Sequence, residues 1–313
     1  MIPTIPGKTA AGLLLGLALA IAGGTTAQAT CTVTPRAKVP LEVVGGAIMV
    51  EAMINGRPAR LVLDTGAQRS LVTPAAVTRL DLALDEWVAT TTRGIGGVAR
   101  HRNALPRSLS LGGVALVRRT TTRDTSLTVG TMPKSEIAGR PVDGVLGRDF
   151  LSPFDLALDM PARIAALHTV EDCRGQFLPW TMPYGALKVE NPADTALVIA
   201  VELDGVRLRA LLDTGASATV VTAPGIARLG LTPEALAADK SLPFTGIGAG
   251  TVAARLHQFH RLQIGELVRE RPSLWVAPVH LTPIVDMVLG ADWLEGKLVW
   301  ISFATRQVFV ARR

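Results

Sequence analysis

One short stretch occurs twice in this chain and limits what the chain can fold into. Leu61–Ala67 reads Leu-Val-Leu-Asp-Thr-Gly-Ala, and Ala210–Ala216 reads Ala-Leu-Leu-Asp-Thr-Gly-Ala. Asp and Gly are ordinary turn residues, so a single Asp-Thr-Gly after an apolar run would predict only a loop. Two copies in matching surroundings predict that Asp64 and Asp213 meet as one pair of carboxylates.

The matching surroundings extend well beyond this turn. Between Arg60–Leu82 and Arg209–Leu231, 11 of 23 positions are identical without a gap. Each copy reads as a hairpin with an Asn-Gly or Asp-Gly turn, a strand, the aspartate turn, a β-prone run and a short helix. Farther on, Gly144–Leu151 corresponds to Met287–Leu294, each an apolar strand, a glycine and a short helix. Many short strands with few helices predict an all-β fold.

A glycine-rich segment lies about thirty residues after each aspartate, between β-prone runs. The two segments consist of Gly94, Ile95, Gly96 and Gly97, and of Gly246, Ile247 and Gly248. We interpret both as hairpin tips. A mobile loop without a role and a phosphate-binding loop are the alternatives, but neither copy has the strand-to-helix context of a dinucleotide site.

The first residues of the chain have the pattern of an export signal. Lys8 precedes the apolar run Ala10–Gly24, and Ala27-Gln28-Ala29 forms a small-x-small cleavage site, so we expect a signal peptide over 1–29. The run is short for a membrane anchor, and Ala-Thr before Cys31 does not favour a lipoprotein site. We therefore expect an exported protein, periplasmic or secreted, with no integral membrane segment after signal removal.

The remainder divides into two halves around an irregular segment. We expect an N-terminal lobe at 30–172, an interlobe linker rich in Pro and Gly at 173–194, and a C-terminal lobe at 195–313. The polar, threonine-rich region 118–141 predicts a surface loop. Cys31 and Cys173 bracket the first lobe, and export favours a disulfide between them, with two unpaired thiols as the alternative.

Charge and composition narrow the classes of partner. The formal net charge is +6, and it becomes +5 when Lys8 leaves with the signal peptide. The positive charge comes from scattered arginines without a lysine run or an aromatic-interleaved basic patch. This balance favours attraction to anionic envelope surfaces weakly and does not support nucleic-acid binding.

Other polar residues are better interpreted as structural. His257 and His260 are three apart in a β-prone run and would point to opposite faces, so a shared metal ion is disfavoured. Neither a His-Glu-x-x-His motif nor paired Cys-x-x-Cys motifs occur in the sequence. We interpret three further aspartates as turn and helix-cap residues, and two tryptophans as core or groove-lining aromatics. These residues are Asp143, Asp149, Asp292, Trp275 and Trp293.

With these motifs identified, the chain resembles the aspartic peptidases, specifically the retropepsin-like branch. The resemblance is carried by Asp-Thr-Gly-Ala after an apolar strand, by the Gly-Ile-Gly tips, and by Leu146-Gly147-Arg148-Asp149. It implies a bilobal acid-protease fold of two retropepsin-like β-barrel lobes with short helices, fused in one chain. It also implies that Asp64 and Asp213 are catalytic, without any cofactor or metal.

Further roles follow from the same resemblance. Thr65 and Thr214 should cross-bond the two turns, and Gly66 and Gly215 should donate N–H groups to the carboxylates. The glycine-rich tips should close as flaps over an extended peptide substrate. The expected activity is endopeptidase hydrolysis by a monomer whose lobes pair within the chain. A non-catalytic peptide-binding protein on the same fold, and a dimer that pairs lobes of different chains, are the alternatives.

The sequence departs from the retropepsin pattern just after each aspartate turn. Retropepsins continue with acidic residues that pair with the helix arginine, whereas this chain has Gln68-Arg69 and Ser217-Ala218. Arg148 therefore lacks the partner usual in that branch, and Ala291 replaces the arginine in the second half. Salt bridges between the lobes should accordingly differ from those of retropepsins.

Overall fold

The structure is a computed structural model that describes residues 1, 3, 30–94, 97–116, 125–190, 196–246, 250–281 and 285–312. The rest of the expected signal peptide, residues 2 and 4–29, lies outside these ranges, as do four of the expected flap residues, Ile95, Gly96, Ile247 and Gly248. Within them the chain is built mainly of short strands, as the sequence predicts. Among the described residues, no helix is long and apolar enough to cross a membrane.

The first half of the chain contributes fifteen strands and two helices within the described ranges. These are β1 (Thr32–Pro40), β2 (Glu42–Val44), β3 (Ala47–Ile54), β4 (Arg57–Leu63), β5 (Leu71–Val72), α1 (Pro74–Arg79), β6 (Ala83–Gly94), β7 (Gly97–Leu105), β8 (Leu109–Leu111), β9 (Val114–Ala115), β10 (Leu127–Val129), β11 (Glu136–Ile137), β12 (Arg140–Pro141), β13 (Gly144–Leu146), α2 (Arg148–Leu151), β14 (Asp155–Asp159) and β15 (Ile164–Glu171).

The second half contributes twelve strands and two helices within the described ranges. These are β16 (Tyr184–Lys188), β17 (Val198–Leu203), β18 (Val206–Leu212), β19 (Val220–Val221), α3 (Ala223–Leu229), β20 (Lys240–Thr245), β21 (Thr251–Gln258), β22 (Arg261–Ile264), β23 (Leu267–Glu270), β24 (Ser273–Val276), β25 (Met287–Leu289), α4 (Ala291–Leu294), β26 (Leu298–Ser302) and β27 (Gln307–Ala311).

Each lobe is organised around one large sheet, and the two sheets have the same strand order. The first runs β6-β7-β10-β5-β13-β4-β3-β8-β9, with β2 paired to β3, and the second runs β20-β21-β24-β19-β25-β18-β17-β22-β23. The strand that precedes each aspartate, β4 or β18, is parallel to β13 or β25 and antiparallel to β3 or β17. The duplication in sequence is therefore a duplication in topology.

A third sheet joins the two lobes. Its order is β1-β15-β14-β26-β27-β16, and β14 pairs with β26 at its centre. β16 lies inside the segment 173–194 that the sequence indicated as a linker. It pairs with β27 as β1 pairs with β15, so this segment contributes an edge strand of the shared sheet.

Local sequence explains the hairpins that lead into the aspartate turns. The tip residues Asn55 and Gly56 have φ of 50° and 74°, and Asp204 and Gly205 have φ of 50° and 78°. These φ values lie in the left-handed region. Asn, Asp and Gly adopt that region at a lower steric cost than most residues do, so Asn-Gly and Asp-Gly pairs favour such turns. These turns bring β4 and β18 back against β3 and β17.

Two interpretations from the sequence are wrong in part. The region 118–141 was expected as a surface loop, yet Leu127–Val129 forms β10 inside the first sheet, between β5 and β7. Asp149 and Asp292 were expected to cap helices, but α2 and α4 begin after Gly147 and Gly290, without a side-chain cap.

Candidate active site

Asp64 and Asp213 directly follow the last residues of the buried strands β4 and β18. Leu63 and Leu212 are fully buried in the shared core, which fixes the strand ends. The Asp64 N–H donates to the carbonyl of Leu146 at 3.0 Å, and the Asp213 N–H donates to that of Leu289 at 2.9 Å. Each aspartate is thus held by the parallel strand beside it.

Each carboxylate is oriented by N–H groups of its own turn. Asp64 Oδ1 accepts hydrogen bonds from Gly66 at 2.8 Å and from Ala67 at 2.7 Å. Asp213 Oδ1 accepts the equivalent bonds from Gly215 at 2.9 Å and Ala216 at 3.1 Å. Such bonds fix the plane of a carboxylate and favour its charged form.

The two turns are tied to each other by their threonines, which are both fully buried. Thr214 Oγ1 accepts from the Thr65 N–H at 2.9 Å and donates to the carbonyl of Leu63 at 2.6 Å. Thr65 Oγ1 accepts from the Thr214 N–H at 3.1 Å and donates to the carbonyl of Leu212 at 2.9 Å. These four bonds cross between the lobes, so the relative position of the two aspartates is fixed.

The glycines allow each carboxyl to rest on the opposite turn. A Cβ added to Gly66 would lie 2.3 Å from Asp213 Cγ, and one added to Gly215 would lie 2.3 Å from Asp64 Cγ. Any side chain at either position would collide with a carboxyl group. The structure therefore brings Asp64 and Asp213 together across the pair of glycines.

Burial controls the ionisation of this pair. Burial raises the pKa of Asp64 well above its usual range, and the adjacent Asp213 carboxyl raises it further. Burial also raises the pKa of Asp213, opposed by hydrogen bonds from Asp64, Gly215 and Ala216 and by the charge of Arg148. Two adjacent buried carboxyls ionise together only at high cost, so the pair retains one proton over a wide pH range.

Arg148 makes the surroundings of the pair unequal. Its side chain is 2% exposed, and its backbone N–H donates to the carbonyl of Ala67 in the Asp64 turn at 2.9 Å. Ala291 makes the same backbone bond to Ala216 at 2.8 Å but carries no charge. The sequence marked this difference between the lobes, but it did not indicate that the arginine charge would act on Asp213.

A second pair of aspartates supports the turns from behind. Asp149 accepts hydrogen bonds from the Ser70 hydroxyl at 2.6 Å and from the Ser70 N–H at 2.9 Å. Asp292 accepts from the Thr219 hydroxyl at 2.7 Å. Each carboxylate also accepts the N–H of the next helix residue, Phe150 at 3.1 Å or Trp293 at 2.9 Å, although neither aspartate occupies the N-cap position. The bonds to Ser70 and Thr219 tie the start of α2 and α4 to the strand that follows each aspartate turn.

Asp143, also expected in a turn, has a counterpart in the second lobe that sequence reasoning missed. Asp143 accepts from the Arg60 N–H at 2.8 Å and forms an ion pair with Arg79 at 2.6 Å. Asp286 accepts from the Arg209 N–H and forms an ion pair with Arg228, both at 2.9 Å. Arg79 and Arg228 belong to the matched stretches, so the duplication was the signal that could have paired these aspartates.

The described flap residues lie at the tips of matched hairpins. Gly94 pairs with Gly97 at the tip of β6 and β7, while Gly246 directly follows β20. The β20–β21 hairpin closes at the pair Thr245 and Thr251. The hairpins β6–β7 and β20–β21 each lie at one edge of their lobe sheet.

The cysteines, histidines and tryptophans considered in the sequence analysis make contacts within the fold. Cys31 and Cys173 are joined in a disulfide. The Nδ1 atoms of His257 and His260 lie 2.8 Å from Asp239 and 3.1 Å from Asp204. In the described part of the chain, no group of three or more His, Cys, Asp or Glu side chains is arranged to hold a metal ion. Trp293 is buried, and Trp275 packs against Phe244 in a smaller apolar cluster.

The fold and this site together define a class of protein. An all-β chain of two matched lobes, joined by one shared sheet, with an Asp-Thr-Gly turn from each lobe meeting at the centre, has the bilobal acid-protease fold. The sequence model of the aspartyl protease family matches the chain twice, at residues 50–150 and 199–293. The chain therefore belongs to the aspartyl protease family. A search of curated proteins finds no significant match.

Proposed function

We propose that this protein is an aspartic endopeptidase that hydrolyses peptide bonds with water activated by Asp64 and Asp213. One observation carries the proposal: two buried carboxyls, one from each lobe, rest on each other's glycine turns and are held by reciprocal threonine bonds. This arrangement gives one site both a carboxylate base and a protonated carboxyl acid.

The chemistry follows from the shared proton. The ionised carboxyl takes a proton from a bound water, whose oxygen forms a bond to the scissile carbonyl carbon. The protonated carboxyl donates its proton to the carbonyl oxygen, which gives a tetrahedral diol. Return of a proton to the amide nitrogen allows the C–N bond to break and releases an acid and an amine. Neither aspartate has a fixed role, because the pair titrates as a unit.

The substrate proposed is an extended peptide lying between the lobes. Support comes from the two hairpins, β6–β7 and β20–β21, which end in the glycine-rich segments of the family pattern. Flaps of this kind supply backbone hydrogen bonds to an extended chain and exclude water from the dyad. No cofactor is part of the proposed reaction.

The experiment is cleavage of an unfolded protein substrate across acidic to neutral pH. Asp64→Asn and Asp213→Asn should each abolish cleavage, because either change removes the acid–base pair. Asp81→Asn is the matched control, since Asp81 is an exposed aspartate of the first lobe. Retained cleavage in both dyad variants would contradict the proposal. Peptide binding without cleavage at any pH would favour the non-catalytic alternative.

We also propose that the active form is a monomer. The support is that both aspartates, both threonines and both glycines of the site come from one chain. Cleavage activity should elute from a sizing column at the monomer mass. Activity found only at twice that mass would favour pairing of lobes between chains.

Export to the periplasm or beyond the cell is proposed on two grounds. The sequence 1–29 has the pattern of a signal peptide, and Cys31 and Cys173 form a disulfide, which persists in oxidising compartments. The mature protein recovered from an exported fraction should begin near Thr30. Recovery of the full-length chain from the cytoplasm would contradict this proposal.

A further inference from the structure

The hairpin β6–β7 differs from its counterpart β20–β21 in a way that the shared fold does not require. Strand register aligns the two: Asn103 pairs with Thr128, which pairs with Leu71, and Leu256 pairs with Trp275, which pairs with Val220. Asn103 and Leu256 therefore occupy equivalent positions. The residues that precede them in β7 and β21 correspond one to one. The second lobe thus serves as an internal reference for the first.

One face of β6–β7 packs on the protein. Asn103 is 1% exposed, and its side chain bonds to Thr90 at 2.8 Å and to Ser126 at 2.9 Å. His101 lies on the same face, and the matching residue Ala254 is fully buried. This face belongs to the lobe in both hairpins.

The opposite face carries two exposed arginines in the first lobe, whereas the second lobe has a single, partly buried arginine there. Arg100 and Arg102 are exposed there, two residues apart and therefore on the same side of the strand. Within the described ranges, neither guanidinium has a carboxylate partner. Their matches are Ala253, which is uncharged, and Arg255, whose guanidinium donates to the carbonyl of Leu236 at 2.8 Å.

Apolar side chains accompany these arginines. Val98, two residues before Arg100, is 62% exposed, and Trp87 is 86% exposed. Trp87 lies within the register irregularity of β6 between Leu84 and Ala89, close in sequence to Ala89, the register partner of Arg102. The buried carboxylate of Asp85 accepts the Trp87 N–H at 2.8 Å in a register irregularity of the strand, which holds this backbone in place.

The sequence around the hairpin extends the same charge pattern. Between Glu86 and Asp124 the chain has no acidic residue, and it has seven arginines, of which Arg107 is paired with Asp81. These are Arg93, Arg100, Arg102, Arg107, Arg118, Arg119 and Arg123. A concentration of one charge sign on one segment is the footprint of an anionic partner.

We propose that the outward face of β6–β7, formed by Val98, Arg100 and Arg102 with the exposed Trp87 beside them, docks on an anionic lipid surface. Exposed tryptophan and arginine side chains suit the headgroup region of a bilayer, where the ring is partly desolvated and the guanidinium meets phosphate. The docking requires no catalysis and is independent of the proposed peptidase activity.

The test is sedimentation of the full chain with vesicles of phosphatidylcholine, with or without phosphatidylglycerol. The protein should bind only the anionic vesicles, and added salt should weaken binding. Arg100→Ala/Arg102→Ala should reduce affinity roughly 30-fold, from two charges near an anionic surface. Arg36→Ala/Lys38→Ala is the matched control, because these exposed residues of β1 lie in the shared sheet. The control should bind like the parent protein.

Tryptophan fluorescence provides a second readout. Emission should shift to shorter wavelength on anionic vesicles, and Trp87→Phe should remove most of that shift while preserving the fold. Absence of binding to anionic vesicles at low salt would overturn the proposal, as would equal losses in the two double variants. Intact vesicle binding by Arg100→Ala/Arg102→Ala, with weaker cleavage of acidic peptides, would assign the arginines to substrate and also overturn it.

Discussion

At the scale of single residues, the lack of room for a Cβ explains why positions 66 and 215 are glycine. Neither has the positive φ that would itself require glycine. The constraint is instead the carboxyl of the opposite lobe, which occupies the position of the missing Cβ. The sequence predicted these glycines as part of a turn motif, but their contact with the partner aspartate is a property of the assembled pair.

Gly66→Ala should therefore disrupt the site and the lobe contact together. A Cβ at 2.3 Å from Asp213 Cγ forces the turns apart, and overpacking of this kind costs about 1–3 kcal/mol. Denaturant midpoints and peptide cleavage would measure both losses. Gly185→Ala is the control, since its Cβ would meet its nearest neighbour at an ordinary 3.7 Å. Normal activity in Gly66→Ala would show that the carboxyls are not held against the glycines.

The dyad should make the protein less stable at neutral pH than in acid. The folded pKa values of Asp64 and Asp213 are raised, so their favourable contribution is complete below the unfolded value of about 3.9. It is lost as pH rises through the raised folded values. Asp64→Asn removes one of the two charges and can still accept the Gly66 N–H bond. Its melting temperature at neutral pH should equal or exceed that of the parent protein, and a clear decrease would contradict the assigned shifts.

Arg148 should contribute to the position of the acidic limb of the pH–activity profile. Its positive charge lowers the pKa of Asp213, against the larger effect of burial, which raises it. Removing the charge in Arg148→Ala should raise that pKa, so activity should begin to rise at a higher pH. Arg148→Lys, which keeps the charge, should stay closer to the parent profile. An unchanged acidic limb in Arg148→Ala would show that the charge of Arg148 does not affect the ionisation of the dyad.

At the scale of elements, the aspartate turn functions as half of a reciprocal clamp. Thr65→Val keeps the shape of the side chain but leaves the Thr214 N–H and the Leu212 carbonyl without their partner. Unsatisfied buried groups of this kind cost about 1–3 kcal/mol. Denaturant unfolding should show that loss, while Thr34→Val on the exposed face of β1 should change little. Equal stability of Thr65→Val and the parent would indicate that the lobes are not joined through these turns.

The elements divide into those that the sequence could predict and those that it could not. Hairpins at Asn55-Gly56 and Asp204-Gly205 and the short helix after Thr73 carry local signals, because turn chemistry and capping act over a few residues. β10 has only three residues, and its parallel partner β5 is distant in sequence. β16 is similarly defined by β27, far along the chain. Short strands paired over long separations leave little periodicity to detect.

At the scale of the whole molecule, the duplication accounts for the fold, and the differences between the two copies account for the docking face that we propose. The sequence identified both copies and their aspartates because the match is local and gap-free. The ion pairs of Asp143 and Asp286 were not predicted, since pairing across the lobe sheet depends on the folded register. The same is true of the action of Arg148 on Asp213, which crosses from one lobe to the other.

The disulfide should contribute strongly to the stability of the folded chain. Cys31 and Cys173 are 142 residues apart, and closing a loop of that length contributes about 5 kcal/mol in the chain-entropy model. Replacing both cysteines by alanine should lower the denaturant midpoint without changing the pH profile of cleavage. A double variant with the stability of the parent would contradict a structural role for the bond.

The most direct measurement of the central claim is the stoichiometry of a statine-type peptide inhibitor, whose hydroxyl imitates the tetrahedral diol. Calorimetric titration of the monomer should give one inhibitor per chain, with binding strongest at acidic pH. Asp64→Asn and Asp213→Asn should each reduce that binding greatly, because the hydroxyl then loses one of its two carboxyl partners. One inhibitor per two chains, or undiminished binding by either variant, would contradict a single dyad built within one chain.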